Sequence, residues 1–153
     1  MGEMPPRGIM PKMASIRDPR QLKSVLCIDD EEDFQSIIRI SLERLGGIQS
    51  HFCTDPREAM ARAREVKPDL ILLDYMMPGV DGATIFKRLQ ADPELASIPV
   101  VFLTAVMTGP DVRNLNQLGA EAILTKPFDV LNLPRKLAEI WDTLNTAGPA
   151  ELH

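Results

Sequence analysis

From Ser24 onward, short apolar runs alternate with amphipathic stretches, the pattern of strands and crossover helices in an α/β domain. The predicted strands are 25–28, 48–53, 70–73, 100–103 and 122–124. Three of these five, 25–28, 70–73 and 100–103, are continuously apolar over four residues, as a parallel sheet covered on both faces requires. The outer pair, around Ser50 and Glu121, is thereby left to the edges. Between the strands the spacing turns helical. Phe34, Ile37, Ile38, Leu42 and Leu45 fall on one helical face. Asp55, Pro56 and Glu58 announce a second helix, with a capping carboxylate, Pro in the first turn and Glu at the third position. Its core stripe is Ala59, Met60, Ala63 and Val66. Residues 82–90 turn Ile85, Phe86 and Leu89 inward, and residues 110–118 turn Val112, Leu115 and Leu118 inward. A last helix carries Leu133, Leu137, Ile140, Trp141 and Leu144. Pro134 is tolerated only in a first turn, so this helix starts near Asn132 or Leu133. Five β-then-α units result, and they predict a doubly wound, five-stranded parallel sheet with five helices.

Composition narrows the picture. A chain of 153 residues with 44% hydrophobic content predicts one domain with a self-sufficient core. Residues 1–22, rich in Pro, Met and Arg and without any period, read as a flexible arm, residues 23–145 as the folded domain and 146–153 as a tail. The stretch through Ser24 holds five basic residues (Arg7, Lys12, Arg17, Arg20, Lys23) against Glu3 and Asp18. The whole chain has net charge −5, which argues against nucleic-acid binding. No run approaches the roughly 18 apolar residues of a membrane span. Glu3, Arg7 and Lys12, with Pro5, Pro6 and Pro11 among them, leave no secretory signal. Cys27 and Cys53 sit in apolar stretches and read as small buried hydrophobes rather than a disulfide. The expected location is cytoplasmic. His51, on an edge strand, and His153, at the terminus, read as surface histidines.

In an open α/β sheet, ligands bind beyond the carboxyl ends of the strands. Those ends are polar here: Asp29 and Asp30 after the first strand, Asp74 after the third, Thr104 after the fourth, and Lys126, followed by Pro127, after the fifth. Three crowded carboxylates repel unless a cation sits among them, and an oxygen-only donor set suits Mg²⁺. A carboxylate can also attack a phosphoryl group, and a cation, an ammonium and a hydroxyl around it would stabilise the charge of the transferring oxygens. Asp74 is the candidate acceptor because it stands alone at the end of the most apolar strand. Taken singly, each residue has a plainer reading: the acids of 29–33 could merely favour the start of the next helix, Asp74 could serve a turn and Lys126 could be a solvated cation. The plainer reading does not explain why Asp, Thr and Lys end three different strands.

Four blocks in order, Val25-Leu26-Cys27-Ile28-Asp29-Asp30, Leu72-Leu73-Asp74-Tyr75-Met76-Met77-Pro78-Gly79-Val80-Asp81-Gly82, Leu103-Thr104-Ala105 and Thr125-Lys126-Pro127-Phe128, resemble a response-regulator receiver domain of the kind typified by the chemotaxis response regulator. The resemblance covers about residues 23–145 and implies a flavodoxin-like sheet of order 2-1-3-4-5. It also implies that Asp74 accepts a phosphoryl group from a sensor histidine kinase or histidine phosphotransfer protein, and that Asp29, Asp30, Asp74 and the backbone carbonyl of Met76 hold Mg²⁺. By the same resemblance Thr104 bonds the phosphoryl group, Lys126 pairs with it, and Gly79 and Gly82 match loop glycines. The chain is then a regulatory phosphoacceptor rather than an enzyme, with intrinsic self-phosphorylation and slow autodephosphorylation. It would act as a stand-alone receiver, a monomer or weak dimer that contacts an unknown downstream protein through the face around Val112, Ile123 and Arg135. No nucleic-acid or membrane partner is expected. Two positions that flank the approach of hydrolytic water in the family are Met76 and Val106, neither of which holds water strongly. One position departs from the pattern: where the family places Tyr or Phe three residues before the Lys, this chain has Ile123, a stiff β-branched side chain that cannot make the ring swing.

Two other classes share the chemistry or the architecture. A phosphatase of the haloacid-dehalogenase type needs D-x-D after its first strand, and neither Asp29-Asp30-Glu31 nor Asp74-Tyr75-Met76 supplies it. A flavodoxin needs a hydroxyl- and Gly-rich phosphate loop where this chain has five acids. A receiver-like interaction scaffold with idle phosphorylation is kept open by Ile123.

Overall fold

The computed structural model describes residues 21–105, 113, 117, 119–126 and 129–147. Its strands and helices are β1 (Ser24–Ile28), α1 (Glu32–Ile40), β2 (Gln49–Cys53), α2 (Ala59–Val66), β3 (Leu70–Asp74), β4 (Met76–Met77), β5 (Val80–Asp81), α3 (Gly82–Ala91), β6 (Val100–Thr104), β7 (Ala122–Thr125) and α4 (Leu133–Ala147). Five strands form one parallel sheet in the order β2-β1-β3-β6-β7. This is the expected doubly wound sheet, and β2, whose apolar run is broken, and β7, whose run is the shortest, are its edges.

Period-two alternation divides the core in two. Leu26, Ile28, Ile71, Leu73, Val100 and Phe102 face Ala59 and Ala63 of α2 and Ile85, Phe86 and Leu89 of α3. Val25, Cys27, Leu70, Leu72, Val101 and Leu103 face Ile38 of α1, Leu42, and Leu133, Leu137 and Trp141 of α4. Cys27 and Cys53 fall in opposite clusters and are free thiols. Leu22 packs into the second cluster, just ahead of β1.

Three local features depart from the periodicity. On α1 the stripe is not the expected one, since Ile37 and Leu45 are about half exposed while Gln35 and Ser41 are buried. For Leu45 the cause is a π turn over Ser41–Leu45, whose extra residue per turn rotates it away from the face that Ile38 and Leu42 occupy. The start of the second helix is a 3₁₀ turn, Pro56–Glu58, capped by the Asp55 carboxylate, which accepts from the Arg57 N–H at 2.9 Å. A short antiparallel pair, β4 with β5, occupies the segment after β3 where the sequence shows no apolar period. The predicted helix at 110–118 lies outside the described residues except for Arg113 and Gln117, both helical and exposed. Among the described residues no helix is long and apolar enough to cross a membrane.

Candidate functional site at the carboxyl ends of the strands

The strands run one residue further than the apolar pattern indicates, so Asp74 and Thr104 are the last residues of β3 and β6. Asp74 lies opposite Leu103 in the ladder, one position from Thr104. Asp29 follows β1, its N–H donating to the Cys53 carbonyl at 3.1 Å. The Lys126 N–H donates to the Thr104 carbonyl at 2.6 Å, which ties the end of β7 to the end of β6. Parallel pairing thus delivers four predicted residues to one end of the sheet. Asp29, Asp74 and Thr104 are buried there, with exposures of 0%, 4% and 0%.

Lys126 joins them. Its Nζ lies 2.9 Å from Asp29 Oδ2, 3.4 Å from Glu31 Oε1 and 3.6 Å from Asp74 Oδ2. Asp29, Asp30 and Asp74 each offer a carboxylate oxygen within 4.8 Å of the others. Backbone N–H groups steady two of the carboxylates: Glu31 N–H donates to Asp29 Oδ1 at 2.9 Å and Met76 N–H to Asp74 Oδ1 at 3.2 Å. The loop after Asp74 is held close by Gly82, the first residue of α3, whose N–H donates to the Tyr75 carbonyl at 2.7 Å. A Cβ at Gly82 would stand 2.5 Å from the Asp74 carbonyl oxygen, so only glycine allows this approach. Gly79 occupies the two-residue connection between β4 and β5 at φ 78°, a conformation L side chains avoid.

Crowding and burial set the charges. Burial, then the neighbouring Asp29 charge, pushes the Asp74 carboxyl up to about 6, with Asp30 adding to the rise and Lys126 and the Met76 N–H opposing it. Burial also raises Asp29, against the Glu31 N–H and Lys126. Burial pulls the Lys126 ammonium down, but the Asp29 hydrogen bond and the charges of Asp29, Asp74 and Glu31 outweigh it and hold the group above its ordinary value. Three oxygen donors of one sign, two of them buried and held toward their neutral forms, match the needs of a hard divalent cation such as Mg²⁺.

Of the remaining predicted positions, Met76, Ile123 and Arg135 are described. Met76 stands in β4 with its side chain 66% exposed. Ile123 lies opposite Phe102 in the β6–β7 ladder, half-buried against the cluster that faces α2 and α3. Arg135 is exposed in the first turn of α4. Val106, Val112, Pro127 and Phe128 lie outside the described residues.

Sequence reasoning passed over three residues at the site. Glu31 directs its carboxylate to Lys126 and makes no side-chain bond to the start of α1. Gln35, which is not part of the apolar stripe read for α1, is buried and donates from Nε2 to the carbonyls of Asp29 at 2.6 Å and Cys53 at 3.2 Å. Phe34, counted as a core residue, also presents its ring to Lys126, with Nζ 4.2 Å from the centroid. The only advance signal for these was their nearness in sequence to Asp29 and Asp30.

A parallel α/β sheet carrying a buried Asp, two further acids, a Thr and a Lys at the carboxyl ends of its strands defines a receiver. The family profile of the response regulator receiver domain matches residues 25–138, and the chain belongs to that family. It is similar to the polar-differentiation response regulator DivK of Brucella anthropi, with 36% identity over 125 residues, 82% of this chain and 98% of that protein. It is also similar to the DNA-binding dual master transcriptional regulator RpaA of Synechocystis, with 41% identity over 106 residues, 69% of this chain but only 44% of that protein. The chain spans about half the length of RpaA and of the PhoB regulator of Pseudomonas aeruginosa. Among solved structures, the signal receiver domain of a DNA-binding response regulator from Colwellia psychrerythraea 34H superposes with TM-score 0.70 at 31% identity, covering 77% of this chain and 97% of that one. The chemotaxis protein CheY4 of Vibrio cholerae gives 0.72 at 25% identity, covering 78% and 99%. Receiver domains are regulatory modules of two-component systems, phosphorylated on Asp and served by histidine kinases or phosphotransfer proteins.

Proposed function

We propose that Asp74 is the phosphoacceptor of this receiver and that its partner is a sensor histidine kinase or histidine phosphotransfer protein. The observation that carries the reading is the buried Asp74 carboxylate, crowded by Asp29 and Asp30 and faced by Lys126 Nζ at 3.6 Å. In the transfer, an Asp74 carboxylate oxygen attacks the phosphorus of a phosphohistidine. The new O–P bond forms as the P–N bond breaks, and the imidazole leaves with the bonding pair and takes up a proton. Asp29, Asp30, Asp74 and the Met76 carbonyl are the groups that would hold Mg²⁺, which when bound neutralises charge on the phosphoryl oxygens. Lys126 orients and pairs with one of those oxygens, and Thr104 donates its hydroxyl to another. Ionised Asp74 is the reactive form, and the Lys126 ammonium favours it.

Output is phosphorylation-dependent contact with a protein target in the cytoplasm, made by a monomer or weak dimer. The face around Ile123 and Arg135 is suited to it. An open hollow of about 520 Å³ lined by these two residues with Thr125 and Lys136 lies beside the strand end that carries Lys126. Ile123 packs where the family places an aromatic ring, so the relay to that face rests on movement of β7 rather than on a ring swing. The domain spans 23–145, between an N-terminal arm and a short tail.

Intact-mass spectrometry of the protein treated with a small acyl phosphate in Mg²⁺ tests the assignment. One phosphoryl adduct in the wild type and none in Asp74→Ala is the expected result. No adduct in the wild type, or an undiminished adduct in Asp74→Ala, would overturn it, and the former outcome would favour an interaction scaffold.

A further inference from the structure

We propose that Phe34 is a positioning residue for phosphoryl capture, holding the Lys126 ammonium in place through its ring face; this rests on the phosphoacceptor reading of Asp74. Lys126 Nζ is faced by the carboxylates of Asp29, Glu31 and Asp74 and by the Phe34 ring, whose centroid is 4.2 Å from the ammonium. That distance is well inside the range of cation–π attraction, and the Lys126 side chain is only 14% exposed, so water competes weakly for it.

The ring differs from the carboxylates in what happens when the site fills. Asp29 and Asp74 are the groups that would ligate a cation, and Asp74 is the group that becomes esterified. Their attraction for Lys126 is therefore altered by each step of loading. Glu31 is 63% exposed and its bond to Lys126 is long, at 3.4 Å, which makes it a weak, screened tether. The ring face is not consumed by either step. It keeps the ammonium on the site side of α1 while the Lys126 N–H bonds transfer from carboxylate to phosphoryl oxygen, so less side-chain entropy is lost at capture. Phe34 is itself anchored: it belongs to the first turn of α1, packs against the cluster that faces α1 and α4, and is followed by Gln35, whose amide fixes the Asp29 carbonyl.

The test compares Phe34→Leu and Phe34→Met, which keep an apolar side chain but lose the ring, with Phe34→Tyr, which keeps it. Beryllofluoride, a stable phosphoryl mimic, is titrated in saturating Mg²⁺, Mg²⁺ affinity is measured separately, and the Lys126 side-chain methylene protons are followed by NMR. Wild type and Phe34→Tyr should show ring-current upfield shifts of those protons and beryllofluoride affinities within about twofold of each other. The Leu and Met variants should lose the shift and bind beryllofluoride about three- to tenfold more weakly, with Mg²⁺ affinity changed by less than about twofold. A merely structural role would weaken Mg²⁺ and beryllofluoride together, and would not be rescued by Tyr. Unchanged beryllofluoride affinity in Phe34→Leu and Phe34→Met, or a Tyr variant as weak as they are, overturns the proposal. Failure of the wild type to bind beryllofluoride at all overturns the phosphoacceptor reading, and this role with it.

Discussion

Asp69 and Asp74 bracket the same strand, β3, and the environments at its two ends make different residues of them. Asp69, at the entry, accepts the N–H bonds of Lys23 at 2.9 Å and Ser24 at 3.2 Å, and its own N–H bonds the Ser24 hydroxyl at 3.1 Å. Its carboxylate is partly exposed and joins the start of β1 to the start of β3. Asp74, at the exit, is buried and has one backbone donor, and the oxygens of Asp29 and Asp30 crowd it. One carboxylate is satisfied by amides, while the other is crowded by like charge that a proton or a cation relieves. The same contrast extends to the cations: Arg64, near the entry of β3, makes a half-exposed pair with Asp92, whereas Lys126 is enclosed by the site.

The largest effect expected from breaking this contrast is on phosphoryl uptake. Asp74→Asn should abolish the adduct seen by intact mass, whereas Asp69→Ala should leave it intact and lower unfolding stability by about 1–2 kcal/mol for the two lost backbone contacts. Loss of the adduct in Asp69→Ala at a temperature where that variant is folded would dissolve the distinction.

Next in size is the pH dependence of the metal-free protein. The Asp74 carboxyl, ordinarily near 3.8, is held at about 6 in the fold. Between those values the native state binds more protons than the unfolded chain, so stability falls as pH rises from about 4 to about 6 and levels above that. The drop should reach about 2–3 kcal/mol, and the raised Asp29 adds in the same direction. Urea unfolding in a chelator at a series of pH values measures it. Asp74→Asn should flatten most of the slope, and Asp69→Ala should not.

Among the acids themselves, Asp30→Ala should weaken Mg²⁺ binding at least about tenfold, while Glu32→Ala, in the exposed first turn of α1, should change it by less than about twofold. Equal losses, read by isothermal titration, would make the acidic run a diffuse field. The smallest effect concerns lifetime. Met76 is exposed beside Asp74 and offers no strong hydrogen bond to an in-line water, so phosphorylated wild type should lose phosphate slowly and Met76→Asn a few-fold faster. Release from the wild type as fast as from the variant would assign water positioning to another group.

Much of this was legible along the chain. The uninterrupted apolar runs of β1, β3 and β6 could only be central parallel strands, and the polar residues that close them marked the end of the sheet that carries the candidate site. Gly82 was legible as a loop glycine through the resemblance, and the structure supplies the Asp74 carbonyl that a Cβ would strike. The face of α1 was not legible beyond Ile38, because a π turn changes the period without changing residue type, and Gln35 is buried through hydrogen bonds that no hydropathy pattern records. The β4–β5 pair was missed because two-residue strands carry no period.

Sequence by itself determined which residues could carry the chemistry and which runs must be buried, since both follow from residue type and spacing of 2.0 or 3.6. Tertiary structure alone decided that Asp74 is pushed toward 6 while Asp69 holds two strands together, and that Phe34 and Glu31 close around Lys126. Those outcomes depend on distances between groups up to 97 residues apart, as for Lys126 and Asp29, and on the solvent they exclude. Coulomb and desolvation energies are functions of that separation and burial, which exist only once the sheet has formed.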